Sequence, residues 1–151
     1  MKPADPLPAV HRAIGQLQRL TELFGKRRIQ LATGVGLSEQ QWRVLEEVAT
    51  EHFMPSMFAR GRRSTAAAVS RIIRQLLDKQ LVLVSVSRTD GRQRRYVLTA
   101  RGKRTLDALR AQRRRAIDAV WMDLDPQALD AFIRSSSELI GRLEAYAAHA
   151  D

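Results

Sequence analysis

The chain has 151 residues, enough for one domain with a core of its own or for a small domain carrying a helical extension. It contains no cysteine, which excludes disulfides, thiolate metal sites and thiol redox sensing. The formal charge is +10 and it is local: Arg60 to Arg104 holds 13 Lys/Arg against two acids, Asp78 and Asp90, a surplus of 11, while the rest of the chain sums to −1. A solvated surface spreads its charge, whereas a nucleic-acid footprint concentrates it.

Met1 to Pro8 carries three prolines and reads as a frayed arm. From Ala9 to about Leu31, Val10, Ile14, Leu17, Leu20, Leu23 and Phe24 recur at the helical period and predict an amphipathic helix, ended by Thr33-Gly34-Val35-Gly36. Ser38, with Gln41 three residues on, is a capping box opening a second helix whose buried face is expected to be Trp42, Leu45, Val48 and Ala49. The stretch Glu51 to Arg63 is less regular: Phe53, Met54, Met57 and Phe58 surround Pro55, and Arg60-Gly61-Arg62-Arg63 follows. These soft apolar side chains could fill core or line a pocket.

Ser64 or Thr65 then caps a helix reaching Lys79. Its apolar face is Val69, Ile72, Ile73, Leu76 and Leu77; the other shows Ala66, Ala67, Ser70, Arg71, Arg74 and Gln75. Leu81 to Arg88 changes period, with Val82, Val84 and Val86 alternating against Leu83, Ser85 and Ser87, which predicts a strand. Thr89-Asp90-Gly91 is a hairpin turn signal and Arg95 to Thr99 the returning strand. A helix feeding a basic two-stranded hairpin is a winged helix. Gly102 leads into a long helix from Lys103 to about Asp123, striped by Leu106, Leu109, Ala116, Ile117, Val120 and Trp121. Its basic run, Arg110, Arg113, Arg114 and Arg115, is either a solvated face or a reach toward flanking phosphate. Asp125-Pro126 restarts the chain as a last helix striped by Leu129, Phe132, Ile133, Ile140, Leu143 and Ala147.

The fold class expected is therefore mainly α with a small β-hairpin. A winged helix-turn-helix domain occupies 37–102, flanked by an arm and first helix over 1–33 and by helices over 103–151. The apolar stripes of the flanking helices exceed what a domain of about 70 residues needs, which suits a dimer interface. Asp90, Arg92, Leu98, Thr99 and Gly102 fit D-x-R-x5-L-T-x-x-G, which resembles the wing signature of the MarR family of winged helix-turn-helix transcription regulators. The likeness extends to Leu37–Val48 (LSEQQWRVLEEV) and to the helical ends, nearly the whole chain. It departs at Glu51 to Arg63, where family members usually show a polar helix of the form T-x-x-x-L-A-x-x-L-G; the first helix of the helix-turn-helix is expected to be short or shifted.

The resemblance implies a homodimer that binds pseudo-palindromic double-stranded DNA, most often as a repressor. Its affinity would fall when a small aromatic or acyl effector binds between the dimerisation helices and the winged helix. Small residues at the head of the second helix of the helix-turn-helix, Thr65, Ala66 and Ala67, would let backbone amides approach phosphate. Ser70, Arg71 and Arg74 form the outward face, and Arg71 is the candidate for a bidentate guanine contact. Asp90 and Arg92 would fix the hairpin tip, with Arg92 or Arg94 entering a minor groove. Arg62, Arg88 and Arg95 would hold phosphate, and Arg63 is a further DNA-binding candidate. Candidate effector-lining residues are His11, Gln18, Trp42, Phe53, Met54 and Met57, with Arg19 or Arg43 available for a carboxylate.

The alternative reading is an architectural protein that coats DNA without sequence preference or effector; the Arg-rich composition, 22 Arg to 4 Lys, suits either. No nucleophile or His-carboxylate constellation and no phosphate-cradling glycine loop points to an enzyme. His11, His52 and His149 are too far apart for a paired-ligand motif, so neither metal nor cofactor is expected, with His52 beside Glu47 and Glu51 the one carboxylate-rich exception. There is no apolar run of roughly 18 residues and no basic-then-apolar leader. A cytoplasmic, nucleoid-associated protein with no membrane partner is the expectation.

Overall fold

The computed structural model describes residues 5–50, 53, 55–61, 64–86 and 94–149, which fall into two compact units, Met1–Gln112 and Arg113–Asp151. In the first, helix α1 spans Leu7–Gly34, α2 Glu39–Val48, α3 Pro55–Gly61 and α4 Ala66–Asp78. Strands β1 (Val82–Val86) and β2 (Arg94–Leu98) form an antiparallel hairpin with Val82 opposite Leu98 and Val86 opposite Arg94. Helix α5 runs from Ala100 to Val120, and α6, in the second unit, covers Pro126–Ala148.

Each helix end in the first unit has a local cause. Gly36, at φ +74°, lets α1 close with Leu37 N–H on the Ala32 carbonyl and Gly36 N–H on that of Thr33, a Schellman pair. Ser38 and Gln41 form the expected capping box at the head of α2. Thr65, rather than Ser64, caps α4 by accepting the Ala68 N–H at 3.1 Å. The far end of α4 repeats the Schellman closure through Gln80, a non-glycine residue at φ 57°, with Leu81 N–H on Leu76 O. The long helix begins at Ala100, three residues before the expected Lys103, because Thr99 is its cap: Thr99 Oγ1 accepts the Gly102 N–H at 2.9 Å. Gly102 is thus inside the first turn rather than ahead of it.

The core of this unit is built on α4. Val69, Ile73 and Leu76 are buried against Trp42, Val44, Leu45 and Val48 of α2, with Ala59, Leu81, Val82, Leu106 and Leu109 completing the cluster. Ala49, expected on the buried face of α2, is exposed because it is already the C-cap. Only Val82 of the alternating valines is buried; Val84 and Val86 are exposed, since a two-stranded ribbon leaves the core after its first pair.

In the second unit Asp125 accepts the Ala128 N–H at 2.9 Å and Pro126 sits at the first position of α6, as its sequence predicts. Among the described residues α6 buries none: Phe132, Ile133, Leu139, Ile140, Leu143 and Tyr146 are all exposed. On α1, Leu7, Val10, Ile14, Leu17, Leu20, Leu23 and Ile29 are between 37% and 55% exposed. Among the described residues no helix is long and apolar enough to cross a membrane.

Candidate nucleic-acid interface

Helix α4 stands on the core through one face and turns the other to solvent. Thr65, Ala66, Ala67, Ser70, Arg71 and Arg74 are all exposed, in the order expected from the sequence. Among the described residues neither Arg71 nor Arg74 has a hydrogen-bonded or ionic partner. Some arginines elsewhere hold a carboxylate: Arg28 and Arg43 both meet Glu39 at 2.7 Å, Arg19 meets Glu22 at 3.0 Å and Arg114 meets Asp118 at 2.9 Å. The only acid on α4 is Asp78, its last residue, so α4 itself offers the two guanidiniums no nearer carboxylate where a ligand phosphate or base edge could meet them.

The helix feeding α4 is short, as the departure at Glu51 to Arg63 suggested. Pro55 opens α3 and Arg60 and Gly61 lie within its last turn, while Ser64 N–H donates to Ala59 O at 2.9 Å across the turn to α4. Phe53 is half-buried, edge-on to Phe58 at 6.0 Å between ring centroids and to Tyr96 of β2 at 6.3 Å. This aromatic trio braces the hairpin base against the helix-turn-helix. Arg94 and Arg95 lie on β2 with both side chains exposed, opposite Val86 and Ser85. Arg62, Arg63, Arg88, Asp90 and Arg92 lie outside the described residues.

The second half of the wing pattern has a concrete job. Thr99 N–H donates to Leu81 O at 3.0 Å and its hydroxyl donates to Gln80 O at 2.7 Å while accepting from Gly102. One threonine thus joins the end of α4, the hairpin base and the start of α5. A Cβ on Gly102 would lie 2.0 Å from the Leu81 oxygen, so glycine is the side chain that permits this approach.

Sequence reasoning missed the polar links that hold α4 from behind. Gln41 Nε2 donates to Gln75 Oε1 at 2.8 Å, and Lys79 Nζ donates to Gly36 O at 3.0 Å. Gln41 was legible as a capping-box residue, but its spare amide edge toward a helix 34 residues away carries no local signal.

The effector-lining candidates are more scattered. His11, Gln18 and Arg19 are exposed on α1; among the described candidates, Gln18 alone lines the open apolar surface formed there with Ile14, Leu17, Thr21 and Glu22. Trp42 is 6% exposed within the core, and its Nε1 has no hydrogen-bond partner among the described residues. Arg19 and Arg43 already hold Glu22 and Glu39, so a carboxylate ligand would have to displace an internal one. On Glu39, burial works against ionisation, but hydrogen bonds from Arg43 and Arg28 outweigh it and hold the carboxyl below its usual range. Met54 and the Met57 side chain lie outside the described residues.

Solved structures share this architecture. A MarR family transcription regulator superposes with a TM-score of 0.81 at 18% identity, over 93% of this chain and 94% of that one. A Staphylococcus aureus MarR in complex with salicylate and kanamycin gives 0.73 at 14% identity, over 91% and 93%. A S. aureus MepR–DNA complex gives 0.66 at 14% identity, over 85% and 94%. No protein-family model matches the sequence, and no curated protein matches it. At these identities the likeness is one of fold: the chain has the winged helix-turn-helix architecture of MarR-type regulators.

Proposed function

We propose that this chain is a MarR-type transcription regulator. In this reading it binds a pseudo-palindromic stretch of double-stranded DNA as a homodimer, acts as a repressor, and releases the DNA when a small aromatic or acyl effector binds. The observation that carries the reading is α4: a capped helix with small residues leading, backed by core on one face and presenting Ser70, Arg71 and Arg74 exposed on the other. The MepR–DNA complex on the same fold supports DNA as the ligand of that face.

Arg71 is assigned the base-edge contact, because its guanidinium lies in the first half of the helix where it can reach a guanine bidentately. Arg94 and Arg95 supply the wing's phosphate or minor-groove contacts. A single winged helix covers too little DNA to select one site in a genome, so two must act together. The exposed apolar residues of α1 and α6 support a second copy of this chain as what covers them. Effector release requires a ligand with unequal affinity for the DNA-competent and incompetent spacings of the two winged helices. The salicylate-bound S. aureus MarR supports an aromatic carboxylate as the first class to try.

The test is fluorescence anisotropy of a labelled duplex from the region upstream of the protein's own coding sequence. A scrambled control runs beside it, over a salt series, with and without aromatic acids and their thioesters. Specific binding at least ~10^3-fold tighter than the control, reversed by one ligand, is the expected result. Equal binding of both duplexes, weakened by salt alone, would sink the regulator reading and leave an electrostatic DNA coat.

A further inference from the structure

Gln41 is the one buried polar side chain among the described residues, 9% exposed, and both ends of its amide are used. Oε1 accepts the Ser38 N–H at 3.0 Å, which closes the capping box with Ser38 Oγ accepting the Gln41 N–H at 3.1 Å. That requirement fixes the amide's orientation, so the edge facing α4 is Nε2, and it donates to Gln75 Oε1 at 2.8 Å. One turn further, Lys79 reaches the Gly36 carbonyl at 3.0 Å. The last turn of α4 is thereby tied twice to the turn that ends α1 and starts α2.

The rest of the contact between α4 and α2 among the described residues is apolar, through Val69, Ile73 and Leu76. Apolar contact is non-directional and tolerates small rotations and slides of one helix on another. A hydrogen bond does not, because it weakens steeply once the donor–acceptor distance and angle change, so a turn or slide of α4 that carries Gln75 away breaks it. The position of Arg71 and Ser70 in a groove depends on that rotation, since one turn of α4 separates them from Gln75.

We propose that Gln41 is a positioning residue for DNA recognition. Buried and out of reach of DNA, it fixes the rotation and axial position of α4 through Gln75. Discrimination between the preferred site and other DNA depends on it, while the overall grip on DNA does not. This inference rests on the reading of the chain as a sequence-specific DNA binder.

A double-mutant cycle tests it. Gln41→Glu keeps the capping box, since a glutamate oxygen still accepts from Ser38, and the Gln75 amide can turn to donate to the other oxygen. Gln75→Glu keeps the link too, with Gln41 donating to a carboxylate. Together the two substitutions place two acceptors face to face and break it. A duplex selected by the wild-type protein from a random pool, and its scrambled counterpart, are titrated with all four proteins, with urea unfolding to establish that each is folded. Each single variant is expected to keep the wild-type preference within about twofold, and the double variant to lose roughly five- to fiftyfold of it. Its affinity for the scrambled duplex should change no more than the two single changes combined.

If the double variant's preference equals the product of the singles, Gln41 positions nothing and the proposal is overturned while the regulator reading survives. If the wild type enriches no sequence from the pool, both are overturned. Should the double variant lose cooperative unfolding, Gln75→Met, at an exposed position, carries the same test. A reduced preference at unchanged salt dependence is expected, and an unchanged preference overturns the proposal.

Discussion

At the scale of single residues, the most constrained position is a glycine. A Cβ at Gly102 would sit 2.0 Å from the Leu81 carbonyl oxygen, and backbone cannot yield as a side-chain tip can. Gly102→Ala is therefore expected to destabilise the protein by ~1 to 3 kcal/mol, read from urea unfolding, by pushing the start of α5 off the hairpin base. An unchanged midpoint would mean that α5 can shift at no cost. Arg71 and Arg95 make a contrasting pair on the proposed DNA face. Arg71→Ala should cost ~1 to 3 kcal/mol on the preferred duplex and relax the choice of base at one position. Arg95→Ala should weaken preferred and scrambled DNA alike and lower the salt slope by about one. Identical behaviour of the two variants would show that neither reads sequence.

At the scale of elements, caps and struts decide where helices begin and how they sit. Thr65→Ala removes the acceptor for the Ala68 N–H and is expected to cost about 1 kcal/mol of stability. Because the cap also orders the amides at the leading edge of α4, DNA affinity should fall with it. The strut between α1 and α2 is electrostatic. Glu39 accepts from Arg28 and Arg43, and its carboxyl is held below the ordinary value of 4.5. A lowered folded-state pKa contributes stability that is present above the unfolded pKa and is lost as pH falls through the folded one. The wild type should accordingly lose more stability than Glu39→Gln as pH drops below about 4.5, and parallel acid limbs would rule the strut out.

Most of these elements were legible because their signals are local: the Ser38–Gln41 box, the run of valines, and the L-T-x-x-G end of the wing pattern each lie within a few residues. What sequence could not give is non-local. The grip of Thr99 on the Gln80 carbonyl spans 19 residues, and the Gln41–Gln75 link spans 34. The aromatic brace of Phe53, Phe58 and Tyr96 joins a segment without clear periodicity to a strand more than forty residues away, so local pattern leaves both a core and a pocket reading of Phe53.

At the scale of the whole molecule, the decisive feature is apolar surface that this chain alone does not bury. A 23-residue helix with no buried residue among those described would be an unstable investment for a monomer, because helices of this kind owe their stability to packing of the apolar face. α1 repeats the pattern with Val10, Ile14, Leu17 and Leu20 exposed along one stripe. In the proposed homodimer these faces hold two copies of α4 at a fixed separation, and the binding energies of two half-sites combine. Leu17→Glu with Ile140→Glu places a charge on each stripe at exposed positions, while the core around Leu45, Leu76 and Leu106 is untouched and should stay folded. Sedimentation equilibrium is expected to report a monomer in place of a dimer. Affinity for a two-half-site duplex should fall roughly 10^2- to 10^4-fold, while affinity for a single half-site changes little. A variant that stays dimeric would place the interface elsewhere on the chain. A monomer that binds the full site undiminished would mean that one winged helix suffices, and the argument from half-sites would have to be given up.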